Sequence, residues 1–231
     1  MNVPRKAGQA AKKQFAPGII FDLDGVLFDS HPVHKRVWRG LLQSLGRSVS
    51  EEELDFILDG AKREEILQHF LGPLSEAQAS SFAARKESMV RREEDNIHPM
   101  KGLETFLDLL DEATISKVVA TSASRARAQR MLHNRNLAKR FAAVFTGDDV
   151  PFGKSKPDIF LRSAEVLQSS PQETLVFEDA VPAIRTAKGI GMKCVGLARG
   201  QRKLCLLEAG ADLVVSDFTD MSVSVVLSLL E

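Results

Sequence analysis

Ile19-Ile20-Phe21-Asp22-Leu23-Asp24-Gly25-Val26 is the stretch that decides how this chain folds. An apolar run stops abruptly at two carboxylates spaced two residues apart, with glycine next. Short continuous apolar runs are strands buried on both faces, as in the middle of a parallel sheet. Two acids at the end of such a strand are costly to bury unless something cationic holds them. Ligands bind at the carboxyl ends of strands in open α/β sheets. Asp22 and Asp24 are therefore expected there, one as nucleophile and one as acid/base, with a divalent metal between protein and substrate. The plainer alternative is a strand that ends in an acidic turn.

The bulk numbers leave room for this. The chain has 231 residues, 44% apolar and 27% charged, with zero formal net charge. That is the composition of an ordinary globular protein and gives no reason to expect a nucleic-acid partner. No apolar run has membrane-spanning length, so no membrane partner is expected. The first 17 residues carry Arg5, Lys6, Lys12 and Lys13 without an apolar signal core and read as a flexible basic tail. Cys194 and Cys205 form no redox or metal motif, and Cys194 sits in a strand pattern as a small core residue. A cytoplasmic setting and a monomer are the expectations.

Further along, residues 31–97 contain helical patterns and no convincing strand. Ser30, Ser50 and Ser75 are placed to start helices, and Gly60 and Gly72 to end them. From His98 the pattern alternates. Strands are expected at 117–120, 141–145, 174–177, 193–196 and 213–215, with helices between them and a C-terminal helix after the last. The fold class is α/β, a doubly wound parallel sheet with helices on both faces. The core is expected over 18–30 and 98–231, with 31–97 as an all-helical insertion.

Four strand ends carry different polar groups. They are Asp22 and Asp24; Thr121-Ser122-Ala123-Ser124; the loop with Lys154 after the third strand; and Glu178-Asp179. If they converge, the set holds a carboxylate nucleophile, a hydroxyl donor, a cation and acidic metal ligands. Phosphoryl transfer through an aspartyl intermediate needs that set, because it depends mainly on positioning and charge stabilisation. Magnesium suits hard oxygen ligands supplied by one or two carboxylates and the substrate phosphate.

These four motifs, in this order, resemble the haloacid dehalogenase-like superfamily, in the branch with a small helical cap inserted after the first motif. The resemblance runs from about Gly18 to the C-terminus and rests on Phe21-Asp22-Leu23-Asp24-Gly25-Val26, Thr121-Ser122-Ala123-Ser124, Gly153-Lys154-Ser155-Lys156-Pro157-Asp158 and Phe177-Glu178-Asp179. It implies a Rossmann-like core and assigns roles. Asp22 is the nucleophile and Asp24 the acid/base. Ser122 and Lys154 are catalytic, holding and neutralising the phosphoryl group, and Thr121 and Ala123 lie with the substrate. Asp22, the Asp24 backbone, Glu178 and Asp179 hold Mg2+. Two departures stand out. Ser155 replaces the usual proline after the lysine, so Lys154 and Lys156 compete, and Lys154 aligns without a gap. Ala180 and Ala183 stand where the family often has Ser and Gly, which removes a hydroxyl near the metal.

The resemblance makes residues 31–97 a lid with hinges at 28–32 and 96–100. His34 and Arg63 are its substrate-facing candidates, with Lys62 and Lys86 behind them. His34 reads equally as a surface histidine, Arg63 as the start of a solvated helix, Arg85-Lys86 as a solvated face, and Trp38 as core. The implied activity is a magnesium-dependent phosphatase acting on a small phosphorylated metabolite such as a sugar phosphate. The alternative is a phosphomutase of the β-phosphoglucomutase kind, favoured by His34 and Arg63. Against it, Arg125-Ala126 stands where the mutases carry an asparagine. A dehalogenase would lack Asp24. A phosphonate hydrolase would need a neutral cap lysine in an apolar setting, expected of neither Lys62 nor Lys86. A non-catalytic phosphate-binding module would not need both Asp22 and Asp24.

Overall fold

A computed structural model describes residues 16–58, 63–150 and 153–231. Most of the tail expected over 1–17 lies outside the described residues, as do Gly60, Lys62 and the Pro151-Phe152 end of the third-motif loop. The opening stretch forms β1 (Gly18–Phe21). It lies between β2 (Ser116–Ala120) and β4 (Thr174–Glu178) and is parallel to both. With β3 (Val144–Phe145), β5 (Lys193–Leu197) and β6 (Leu213–Val215), the six-stranded parallel sheet has the order β3-β2-β1-β4-β5-β6.

The alternating strand geometry explains why β1 is apolar throughout. Ile19 and Phe21 enter the core with α5 (Leu103–Glu112), α6 (Arg125–Asn134) and α10 (Val223–Leu230). Ile20 faces the opposite core with α7 (Asp158–Leu167), α8 (Val181–Gly189) and α9 (Arg202–Glu208). Phe21 stacks on Phe177 of β4 with ring centroids 4.8 Å apart, and Phe106 meets Phe21 edge-on at 6.3 Å. These rings brace the sheet one residue before the acids at 22 and 178.

Between the two passes of the chain through the core stand α1 (His31–Ser44), α2 (Glu51–Leu54), α3 (Arg63–Leu71) and α4 (Glu76–Arg92). They bury a core of their own around Trp38, Leu41, Leu42, Leu67 and Phe70. Ser50 with Glu53, and Ser75 with Gln78, form reciprocal capping boxes that fix where α2 and α4 begin. The last of these helices stops at Arg92. A 3-10 turn over Glu94–Asn96 then brings Ile97 back into the main core. The two connecting passes are zipped together. The Asp29 N–H donates to the His98 carbonyl and the Met100 N–H to the Leu27 carbonyl, each at 2.9 Å. The third strand is shorter than the expected 141–145, although the Ala142 N–H still donates to the Lys117 carbonyl at 2.8 Å.

Candidate active site

β1 and β4 are neighbours, while β2 and β3 extend to one side and β5 and β6 to the other. The strand order reverses between β1 and β4, and a crevice opens at their carboxyl ends. Asp22 leaves β1 there, tied down by its N–H donating to the Phe177 carbonyl at 3.0 Å. Glu178 ends β4 and Asp179 follows it. All three carboxylates are buried, and one ligand oxygen from each lies within 4.8 Å of the others.

Lys154 enters from a 3-10 turn (Gly153–Ser155) and is 4% exposed. Its ammonium pairs with Asp22 and donates to Glu178 Oε1 at 3.0 Å. Lys156 is exposed, so the competition between the two lysines falls to Lys154. Burial pushes the Asp22 carboxyl up to about 6. Lys154 opposes that shift, while the nearby Asp179 and Asp24 add to it. Burial also raises Glu178 well above the usual carboxylate range. Lys154 is held charged, because Asp22 and Glu178 outweigh the burial that would discharge it.

Asp24 is in a different environment. Arg127 of α6 donates to both its oxygens, Nη1 to Oδ2 at 2.5 Å and Nη2 to Oδ1 at 2.6 Å. Ser30 Oγ donates to Oδ1 at 2.6 Å, and His34 Nε2 lies 3.2 Å from the same oxygen. Burial would raise this carboxyl, but Arg127 and then His34 overcome it and hold it well below its ordinary value. Ser30 thus departs from the expected role. It stands at the start of α1 but caps nothing with its side chain, because its hydroxyl is committed to Asp24. His34 is buried in the site and held neutral, with its pKa lowered to about 3 by burial and then by Lys86.

Two further residues were not expected. His31 pairs with Asp179 Oδ2 at 2.6 Å. It is a polar partner for that carboxylate of the kind the side chains of Ala180 and Ala183 cannot supply. Gly25 makes this possible. Its φ is +74°, and a Cβ there would sit 2.2 Å from His31 Nε2 and 2.5 Å from Asp179 Oδ2. Arg127 had a faint signal in the sequence, an arginine in the first turn of the helix after the second motif. Its partner lies 103 residues away, and nothing local links the two.

The second-motif loop is delivered by β2. Ser122 and Ala123 line the cavity. Thr121 is buried and does not line it; its Oγ1 accepts the Ala123 N–H at 3.1 Å, which shapes the loop instead. Gly147, after β3, can pass close by only because it lacks a side chain, since a Cβ would lie 2.6 Å from the Ser122 carbonyl oxygen. Across the cavity stand Trp38, Arg63 and Lys86 from the helical insertion. Arg63 is partly exposed and lies 3.8 Å from Glu87. Lys86 corrects the expectation of a solvated face. It is 6% exposed, and its ammonium lies 5.6 Å from the centre of the Trp38 ring. Burial, and then the charge of Arg127, lowers it to about 8. The position is buried against the Trp38 ring with Arg127, Asp24, Glu87 and Arg63 around it, and the amine is still mostly charged at neutral pH. Trp38 belongs both to the insertion's core and to the cavity wall. Lys62 lies outside the described residues.

The donor set fits a hard divalent cation, with three buried carboxylates converging and too little positive charge beside them. A doubly wound sheet with an acidic cluster and a buried lysine at its switch point defines a class, α/β proteins with a ligand site at the carboxyl ends of the strands. The haloacid dehalogenase-like hydrolase family pattern matches residues 17–191, and the chain belongs to that family. It is 30% identical over 213 residues to β-phosphoglucomutase of Bacillus subtilis, covering 88% of this chain and 91% of that protein. It is 30% identical over 223 residues to 2-deoxyglucose-6-phosphate phosphatase 1 of Saccharomyces cerevisiae, covering 88% and 89%. The crystal structure of β-phosphoglucomutase from Clostridium difficile shares the fold with a TM-score of 0.81 at 24% identity, over 93% of this chain and 97% of that one.

Proposed function

We propose that this protein is a magnesium-dependent phosphatase of small phosphorylated metabolites, sugar phosphates foremost, acting through an aspartyl phosphate on Asp22. The observation that carries this reading is the buried ammonium of Lys154 shared between Asp22 and Glu178 at the switch point. An anionic nucleophile attacking an anionic phosphoryl group needs such a cation. In the reaction an Asp22 oxygen bonds to phosphorus as the bond to the leaving oxygen breaks, and Asp24 gives that oxygen a proton. Asp24 then takes a proton from water, whose oxygen displaces Asp22 and releases phosphate. Ser122 donates to a phosphoryl oxygen and Lys154 neutralises its charge. Asp22, the Asp24 carbonyl, Glu178 and Asp179 would hold Mg2+, which supplies charge neutralisation and makes phosphorus more electrophilic.

Residues 31–97 serve as a cap domain over the core of 18–30 and 98–231, excluding water and presenting His34, Arg63 and Lys86 to the leaving portion of the substrate. The yeast phosphatase relative supports the substrate class. The reading places the enzyme in the cytoplasm as a monomer. No described helix is long and apolar enough to cross a membrane. Transfer to a sugar hydroxyl instead of water is the second reading, favoured by the Bacillus relative and by Arg63 and His34 on the cavity wall. A phosphate-release screen over sugar phosphates, nucleotides and glycolytic intermediates, with β-glucose 1-phosphate isomerisation assayed in parallel, separates the two. Phosphate release without isomerisation is expected; isomerisation without release would favour the mutase. Asp24→Ala should slow poor leaving groups more than an activated aryl phosphate, and equal losses would remove Asp24 as proton donor.

A further inference from the structure

The pairing of Asp24 poses a problem for the chemistry just assigned to it. Both oxygens of the acid/base are occupied, Oδ2 by one guanidinium nitrogen and Oδ1 by the other and by Ser30. A carboxylate held by a guanidinium fork and a hydroxyl is stabilised as the anion and carries no proton to give a leaving group. The fork is also a good match for another planar anion, since guanidinium binds carboxylate and phosphate in the same bidentate way. Arg127 lines the cavity yet is only 3% exposed, and its Nε is buried with no hydrogen-bond partner among the described residues. A buried donor left unpaired is unusual and points to a partner not yet in place. The stem of the helix is anchored independently, because Arg130, three residues on, donates to Glu94 at 2.5 Å and to Glu87 at 3.4 Å, both in the insertion.

The surroundings show what that partner is. Facing the guanidinium across the cavity is the buried ammonium of Lys86, which has no carboxylate within ion-pair distance among the described residues. Two buried cations converge where the leaving portion of a substrate would lie, and the counter-charges they share are Asp24, which holds the guanidinium fork, and Glu87. We propose that Arg127 is a specificity-determining residue whose guanidinium passes from Asp24 to an anionic group on the leaving portion of the substrate. Substrates carrying such a group, a carboxylate or a second phosphate, release Asp24 for proton transfer, and neutral sugar monophosphates leave it clamped. This rests on the phosphatase reading for the role of Asp24, but the exchange of partners is a binding event and can be measured without turnover.

The test uses the full chain with Asp22→Asn, so that ligands bind without reacting, and isothermal calorimetry with three probes. These are glucose 6-phosphate, 6-phosphogluconate and glucose 1,6-bisphosphate, which separate a neutral leaving portion, a carboxylate and a second phosphate. At least one anionic probe should bind roughly ten- to hundredfold tighter than glucose 6-phosphate, the worth of one charge-assisted contact. Adding Arg127→Gln should erase that ratio, and Arg127→Lys, which keeps the charge without the fork, should retain part of it. A merely structural Arg127 would weaken all three probes together. An unchanged ratio in Arg127→Gln, or no preference with Arg127 in place, overturns the proposal. If Arg127→Gln does not fold, as judged by its thermal melt, the decision falls to Arg127→Lys, where an unchanged ratio overturns it. Phosphate release by the unsubstituted protein is measured separately. Its absence with the binding preference intact would remove the phosphatase reading and leave the exchange standing.

Discussion

Replacing Lys154 with methionine removes the one cation buried between Asp22 and Glu178 while nearly preserving volume. Asp22 is pushed up to about 6 even with Lys154 in place, and burial raises Glu178 well above the usual carboxylate range. Without the ammonium both carboxyls rise again. Breaking a buried pair by removing one partner costs about 3–5 kcal/mol, a large part of the roughly 5–15 kcal/mol that holds a domain folded. The sign with pH follows from the carboxyls. Their folded values lie above their unfolded ones, so the folded state binds more protons and loses stability as pH rises through that window. Losing Lys154 widens the window upward. The variant's deficit in urea unfolding, with chelator present, should therefore be small near pH 5, where Asp22 is already mostly protonated, and largest at pH 8. Magnesium should restore part of the stability by replacing the lost positive charge. It should not restore turnover, which falls about 10²–10³-fold when a charge-stabilising donor is lost. A deficit of equal size at both pH values would refute the electrostatic account and leave only a packing role for Lys154.

Lys86, lowered to about 8 by burial and then Arg127, gives an alkaline signature: KM should rise about tenfold or more through that pH as the cation is lost, and Lys86→Met should flatten the rise. The folded value lies below that of the unfolded chain, so the unfolded state binds more protons and the unsubstituted protein should gain stability relative to Lys86→Met as pH rises from about 8 to 10. Gly25→Ala forces a left-handed φ of +74° on alanine and drives a Cβ into the His31–Asp179 pair. It should cost about 1–2 kcal/mol from the backbone alone and weaken magnesium binding about 10–100-fold, read from melts and from activity against metal concentration.

The fold was legible because its signals are local. The apolar runs of β1 and β4, the helical spacing of 125–134 and 158–167, and the serine caps at 50 and 75 each act within a few residues. Much of the candidate site was legible for a related reason, since Asp22, Ser122 and Glu178 lie at or just past strand ends that parallel strands bring to one rim, while Lys154 comes from a 3-10 turn further along. What could not be read was pairing across the sequence. Ser30 looked like a helix cap, and only the folded chain shows its hydroxyl on Asp24. Lys86 lies on a heavily charged helix whose pattern suits a solvated face, and it is the approach of Trp38 and the core that buries it. His31 and Arg127 act on residues 148 and 103 positions away in the chain, distances over which no periodicity carries information.

The central claim is that Asp22 takes the phosphoryl group. Rapid acid quench during turnover of the best substrate from the screen, followed by mass spectrometry of the peptide carrying Asp22, tests it directly. A phosphoryl adduct on Asp22 that is lost on incubation at alkaline pH and never forms in Asp22→Asn is the predicted result. Steady turnover with no adduct, and an Asp22→Asn protein that keeps most of its activity, would contradict it.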